Sequence, residues 1–186
     1  MAAVLAYEAG DDAPLTRARA DAVRRLAQRL QLALGQAAEI AERIRSIAEA
    51  HYPQLTRICG INLLTAGAIA GMLGPGRRFA SEAALAAYAG VAPREASSAG
   101  HVRHRLNRGG NRRLNAVLYR IALTQAHYSP DARKYLARRV EEGKTKKEAI
   151  RALKRFIVRS IWQAWIECHS SPARPDAPHV QPTGCT

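Results

Sequence analysis

Between Arg94 and Arg113 the chain sets two adjacent hydroxyls, Ser97 and Ser98, among a dense group of guanidiniums: Arg94, Arg103, Arg105, Arg108, Arg112 and Arg113. From Arg94 to Arg120 the only acidic side chain is Glu95. Arginine forks match phosphate oxygens in pairs, which a lysine ammonium does not, so the stretch is suited to hold a phosphodiester beside a hydroxyl. Such a hydroxyl attacks phosphorus only if a base takes its proton and nearby cations spread the developing charge. The arginines meet the second need, and His101 and His104 are candidates for the first. Taken by itself, Ser97-Ser98-Ala99-Gly100 is also ordinary loop composition, and an arginine run is also a common solvated face. The density of this run and its nearly acid-free setting favour an anionic partner.

The whole chain agrees with that bias. Its 186 residues carry a formal net charge of +14, which speaks about partners rather than fold. Nucleic acid is the usual partner, and an anionic membrane surface the alternative. No stretch is apolar for long enough to span a bilayer, and no basic segment followed by an apolar run opens the chain, so no membrane partner and a cytoplasmic setting are expected. Cys59, Cys168 and Cys185 are far apart and odd in number, which gives neither a disulfide framework nor a zinc spacing. Hydrophobic residues make up 47% of the chain but aromatics only 5%, with Ala and Leu dominant. Such a core is built from helices, and the expected fold class is all-α.

Helical periodicity then supplies the elements that must position the basic stretch. Residues 1–14, with Gly10-Asp11-Asp12-Ala13-Pro14, are expected to form a disordered lead. Over residues 15–50, Val23, Leu26, Leu30, Ala33, Ala37, Ile40, Ile44 and Ile47 fall on a heptad seam of a coiled-coil-like helix. The seam would serve a dimer or one arm of a helical hairpin, or it would lie on its own domain. A compact helical domain is expected over residues 51–168. Pro53 opens a short helix running to about Ile58, and Gly60-Ile61-Asn62 then leads into an Ala-rich helix. That order resembles a helix-hairpin-helix, whose turn offers backbone N–H groups to a phosphate, with Gly60 and Asn62 as the contact positions. Asn62 stands where the motif usually has a second Gly, and it tolerates a left-handed backbone. An ordinary tight turn between two core helices is the equal alternative.

Ser81 is expected to cap a helix ending near Ala89, with Gly90 as its stop. A helix from Asn111 buries Leu114, Val117, Leu118, Ile121 and Ala122, and Arg112 and Arg113 in its first turn oppose the helix dipole unless an anion sits there. Ser129-Pro130 opens the next helix and Gly143 closes it. Thr145 and Glu148 have capping-box spacing ahead of a final helix striped by Ile150, Leu153, Ile157, Ile161 and Trp165. Phe156 and Trp162 are expected to be core anchors rather than base-stacking groups. Residues 169–186 are expected to be a disordered tail.

The order of short motifs resembles the C-terminal domain of the insertion-sequence one-ten/one-sixteen transposase family, recombinases related to Piv-type DNA invertases. The pieces are Gly60 to Ala66, Arg78-Phe79, Leu85 to Arg94, Ser97-Ser98, Gly110 to Leu114 and Gly143-Lys144. The resemblance covers about residues 45–168 and implies a serine nucleophile at Ser98, with Ser97 just before it. Where the family commonly has Gly after that serine, this chain has Ala99 and then Gly100. The resemblance also implies DNA as the partner and a guide or bridge RNA beside it. It places a divalent metal such as Mg in an N-terminal RNase-H-like domain carrying an acidic Asp-Glu-Asp-Asp set. No cofactor or metal is expected in this chain, whose carboxylates, such as Asp11, Asp12, Glu39, Glu42, Glu49, Glu141 and Glu142, are scattered on helix faces or in the lead.

The expectation is therefore a DNA-binding transposase domain lacking the metal-binding N-terminal domain and cleaving poorly without it. It would act as a homo-oligomer or with a full-length transposase. The competing expectations are a non-catalytic helix-hairpin-helix module that coats nucleic acid, and a regulatory fragment that dimerises with the full-length enzyme.

Overall fold

The heptad-spaced stretch forms one helix, α1 (Pro14–His51). The computed structural model describes residues 13–75, 78–92, 94–98, 101–105 and 109–170, so most of the lead, Pro93, Arg108 and the tail beyond Ser170 lie outside the described residues. The chain divides into two units at Ser46 and Ile47. Along α1, Val23, Leu26, Leu30 and Ile40 of the seam are each more than 40% exposed.

In the second unit Pro53–Arg57 is a five-residue 3-10 turn rather than the helix to Ile58 that Pro53 suggested. It is followed by α2 (Leu63–Leu73), α3 (Glu82–Tyr88), β1 (Arg94–Ser98), β2 (His101–Arg105), α4 (Arg112–Tyr128), α5 (Pro130–Glu141) and α6 (Lys146–Ser170). The architecture is helical, as the Ala and Leu content implied, with a two-stranded antiparallel ribbon between α3 and α4. The caps fall where the polar residues stand. Ser81 Oγ accepts from the Ala84 N–H at 3.2 Å, Asn111 Oδ1 from Leu114 at 3.0 Å and Ser129 Oγ from Ala132 at 3.3 Å. At the start of α6, the Thr145 N–H donates to Glu148 Oε2 at 2.9 Å and the Glu148 N–H returns to Thr145 Oγ1 at 3.3 Å. This is the reciprocal capping box the spacing implied. The Thr145 hydroxyl, which donates to Glu148 Oε2 at 2.8 Å, and the Thr145 N–H together hold the Glu148 carboxyl below its ordinary range.

The core gathers around α6. Its stripe of Leu153, Ile157, Ile161 and Trp165 is buried together with Leu114, Leu118 and Ile121 of α4, Leu85 of α3, Ile69 and Leu73 of α2, and Leu55 of the 3-10 turn. Each fully buried Leu or Ile contributes roughly 1.5–3 kcal/mol. Trp165 stacks on Tyr52 with ring centroids 5.2 Å apart and planes 4° from parallel. Beside them the Cys168 thiol donates to Gln54 Oε1 at 2.8 Å, and burial pushes its pKa up. It is a protonated packing group rather than a nucleophile.

Phe156 departs from expectation. It lies outside the core and is 49% exposed, whereas Trp162 is partly buried against the core as anticipated. Phe156 is three residues past Leu153, at the edge of the stripe, where periodicity alone does not separate inside from outside.

The ribbon rises from a stem fixed by backbone contact. Gly110 lies so close to the end of α3 that a Cβ on it would fall 2.5 Å from Gly90 Cα and N, and 3.0 Å from the Tyr88 carbonyl oxygen. Gly90 itself holds φ at +68°, a region L side chains avoid. Polar groups close the stem around these glycines. The Asn111 N–H donates to the Tyr88 carbonyl at 2.7 Å, its Nδ2 donates to Tyr88 Oη at 2.6 Å, and Tyr88 Oη donates to the Met72 carbonyl at 3.2 Å. Asn115 Nδ2 donates to the Ala89 carbonyl at 2.8 Å. Lys154, only 6% exposed, donates from Nζ to Asn115 Oδ1 at 2.9 Å. Burial lowers the Lys154 pKa from its ordinary value, with the Arg151 charge adding to the effect.

Gly110→Ala is expected to cost about 1–3 kcal/mol in urea unfolding, because no flexible side chain can move out of the way of the new methyl. Gly35→Ala, in α1 with nothing within 4 Å of the added atom, is expected to stabilise by about 0.5–1 kcal/mol. A Gly110 variant as stable as wild type would contradict the stem. Asn115→Ala removes the acceptor for a buried ammonium and is expected to cost on the order of 1.5–3 kcal/mol near neutral pH. The folded-state Lys154 pKa lies below its unfolded value and falls further in the variant. Folding therefore releases a proton in the alkaline window below the unfolded pKa, and stability there rises with pH. The deficit of Asn115→Ala against wild type is accordingly expected to shrink as pH rises toward 10.5, the ordinary lysine value. Unfolding free energies measured across that range check it.

Candidate nucleic-acid interface

The basic stretch is an antiparallel hairpin set on the Gly90–Gly110 stem. Its register pairs Arg94 with Arg105, Glu95 with His104, Ala96 with Arg103, Ser97 with Val102 and Ser98 with His101. Arg94 and Arg105 therefore mark the stem end, while Ser97 and Ser98 close β1 at the tip, on the order of 14 Å farther along at the rise of an extended strand. Residues two apart on a strand share a face. Arg94, Ala96 and Ser98 thus share register positions with Arg105, Arg103 and His101, and Glu95 and Ser97 share theirs with His104 and Val102. Of the two candidate bases, His101 is the residue directly across from Ser98. Arg108 lies outside the described residues.

Arg112 and Arg113 follow the stem in the chain, in the first turn of α4. Both are exposed, and among the described residues neither has a hydrogen-bond or ion-pair partner. The first turn of α4 contains no acidic residue. Asn111 satisfies the Leu114 N–H, and the N–H groups of Arg112 and Arg113 belong to the positive end of the helix dipole. Backbone and side chains together make this helix start a place for an anion. The stem carries the ribbon and the start of α4 on one short frame, since Gly110 touches Gly90 and Asn111 caps α4 while bonding to Tyr88.

The turn at Gly60 and Asn62 is built differently from the expected motif. Gly60 has φ +88°, but Asn62 is extended, at φ −98° and ψ 175°, and its side chain accepts from the Thr65 N–H as the N-cap of α2. The expected left-handed Asn62 is therefore replaced by a capping role that Asn fills equally well. A Cβ on Gly60 would lie 3.3 Å from Ile121 Cγ2, from the Ile121 carbonyl oxygen and from Thr124 Cβ, and Gln125 Nε2 donates to the Cys59 carbonyl at 2.8 Å. The glycine is required by its backbone angle and by α4 packed against it. With only a 3-10 turn ahead of it, the segment keeps one full helix of the hairpin pair, and its shape needs no phosphate to explain it.

Sequence reasoning missed the stem itself. Gly90 was legible as a helix stop, but its contact with Gly110 joins positions far apart in the chain. Asn115, which braces the carbonyls of Ala89 and Gly90, and Lys154, which donates to Asn115 Oδ1, carry no motif. No three His, Cys, Asp or Glu side chains among the described residues converge so as to hold a metal ion. No described helix is long and apolar enough to cross a membrane.

Comparison with known proteins meets the same region. Residues 52–137 match the model of the transposase IS116/IS110/IS902 family. That span includes α2, α3, the stem, the ribbon and α4. The chain is also 35% identical over 115 residues to the insertion element IS110 uncharacterized 43.6 kDa protein of Streptomyces coelicolor. The aligned stretch is 60% of this chain and 28% of the relative, so the chain spans well under half of that protein's length. The stem, the basic ribbon and the start of α4 thus fall inside the stretch that carries the sequence pattern of the IS116/IS110/IS902 transposases.

Proposed function

We propose that this chain is the DNA-binding, C-terminal part of a transposase of the insertion-element type, with Ser98 as the nucleophile that joins protein to DNA. The observation that carries the reading is the coincidence of the family match with the ribbon. Within residues 52–137, the register sets Ser98 opposite His101 and aligns Arg94, Arg103 and Arg105 along the same hairpin. Arg112 and Arg113, unpaired among the described residues, stand beside its stem. The strand lies along the ribbon and over the start of α4, with Arg94, Arg103, Arg105, Arg112 and Arg113 taking phosphates. The Ser98 hydroxyl attacks phosphorus, forming the Ser Oγ–P bond and breaking the bond to one bridging oxygen. The serine proton passes to His101 or to a group supplied by the remainder of the recombinase, and the departing oxygen takes up a proton. The phosphoester bond is conserved on the protein, as strand exchange requires. Serine chemistry, a bridging RNA and a metal-bearing N-terminal domain all come from the family resemblance. The metal would be held there and not by the described residues of this chain.

Covalent trapping tests the chemistry. Nicked donor DNA is incubated with this chain, alone and mixed with a full-length protein of the family, and the products are resolved under denaturing conditions. A protein–DNA adduct is expected in the mixture and is expected to vanish in Ser98→Ala while surviving in Ser97→Ala. An adduct of this chain's own mass that persists in Ser98→Ala would move the nucleophile elsewhere, and no adduct of this chain in any mixture would leave a non-catalytic binding module as the better account.

Binding is tested separately. Replacing Arg112 and Arg113 by Ala is expected to weaken duplex DNA binding for all sequences alike and to reduce the salt slope by about 2, one for each phosphate no longer neutralised. Arg103 and Arg105 are expected to behave the same way, and an unchanged slope would remove them from the interface. The exposed α1 seam supports a second copy, or a full-length family member, as a partner through residues 15–50. Leu30→Asp is expected to shift the mass measured by light scattering to that of a single chain, and a wild-type chain that is already single at high concentration would contradict it.

A further inference from the structure

A second basic surface lies where α5 and α6 meet the start of α3. A cleft of about 200 Å³ is lined there by Glu82, Tyr135, Arg139, Arg155, Phe156 and Arg159. It is smaller than the ~300–1,000 Å³ of sites for drug-sized ligands. Phe156 presents its ring to this cleft while remaining half exposed, even though its neighbour Ile157 is buried in the core. The Phe156 ring meets Tyr135 edge to face, with centroids 5.0 Å apart and planes at 72°. Tyr135 is held in place: Arg139 Nε donates to its hydroxyl at 3.1 Å, and the Arg138 and Arg139 guanidiniums lie 5.6 and 5.5 Å from its ring centre. Phe156 is thus a braced aromatic with part of its surface open to water.

The arginines around it are not equivalent. Arg139 is paired with Glu142 at 2.6 Å, and Arg159 Nε donates to both Glu82 oxygens, at 3.3 and 3.2 Å. Arg155 has no hydrogen-bond or ion-pair partner among the described residues. An apolar planar surface beside such a guanidinium is the arrangement that holds an unstacked base and its phosphate. An acidic peptide would also satisfy Arg155, but it would leave the aromatic face unused.

We propose that this cleft binds one base of a single-stranded nucleic acid, stacked on Phe156, with Arg155 on its phosphate. Glu82, tied to Arg159, also lines the cleft, and its carboxylate opposes a second phosphate. The site is separate from the ribbon and does not involve Ser98. The inference rests on the nucleic-acid reading of the chain and extends it from duplex to single strands.

The test measures fluorescence anisotropy of labelled oligo(dT), oligo(rU) and a random-sequence duplex with the full chain. Phe156→Ala is expected to weaken single-strand binding by roughly 5- to 150-fold, the range of one aromatic–base stack of ~1–3 kcal/mol. Duplex binding is expected to be unchanged, and Phe156→Trp is expected to restore single-strand affinity. Arg155→Ala is expected to lower the single-strand salt slope by about 1, and Glu82→Gln to tighten binding. A larger Phe156 effect with oligo(rU) than with oligo(dT) assigns the cleft to RNA, and the reverse assigns it to displaced DNA. Single-strand binding by Phe156→Ala equal to wild type overturns the proposal, as does a wild-type chain that binds duplex but not single strands. Equal weakening of duplex and single-strand binding overturns it too. A wild-type chain that binds none of the three probes overturns the nucleic-acid reading along with it.

Discussion

The close approach of Gly90 and Gly110 is the constraint on which the basic region depends. Gly90 and Gly110 meet at a backbone-to-backbone contact that admits no side chain, and both strands of the ribbon fall between them in the chain. Closing such a loop costs entropy, and a two-stranded ribbon by itself is marginal in water. The stem offsets part of that cost by fixing both ends on buried structure. Tyr88, Asn111 and Asn115 hold the backbone from the α3 side and the α4 side, and Lys154 extends the network into α6. A buried lysine is costly unless its protons find acceptors, and here one acceptor is the side chain that also holds the end of α3. The hydrogen bonds and the glycine contact therefore act as one unit, and loss of one member leaves others unsatisfied.

Electrostatics divides the surface into settled and unsettled charge. Several arginines are matched locally, as in the pairs Arg45–Glu42, Arg57–Glu167, Arg139–Glu142 and Arg159–Glu82. Exposed pairs of this kind contribute little to stability. Arg112 and Arg113, at the positive end of α4, and Arg155, in the aromatic cleft, are left without partners among the described residues. With a net charge of +14, such positions repel one another in the free protein, and on the proposed nucleic-acid reading a phosphate would relieve that repulsion and make association salt-sensitive.

Much of the helical frame was legible in the sequence because its signals are local. Ser81, Asn111, Ser129 and Thr145 stand at helix starts and cap them, and Gly90 and Gly143 adopt the positive φ that ends a helix. The buried face of α4 follows directly from the spacing of Leu114, Val117, Leu118, Ile121 and Ala122. The ribbon was not legible, since Arg94–Ser98 and His101–Arg105 offer no apolar alternation to mark a strand. Phe156 was misjudged for a related reason. A helical stripe has edges, and only the neighbouring helix decides which side of the edge a residue falls on. Asn62 illustrates a third limit: one residue type suits both a left-handed turn and an N-cap, and here it is the N-cap. The serine pair and its arginines were recognisable as a set, but their order along a hairpin, with His101 across from Ser98, required the register.

The central claim is that a nucleic-acid strand lies along the ribbon and over the start of α4. Ultraviolet cross-linking of the full chain to duplex DNA, followed by mass-spectrometric mapping of the modified peptides, tests it most directly. The account predicts that the duplex cross-links concentrate in peptides spanning residues 94–120. Cross-links confined to α1 or to other surfaces, with that span unmodified, would contradict it.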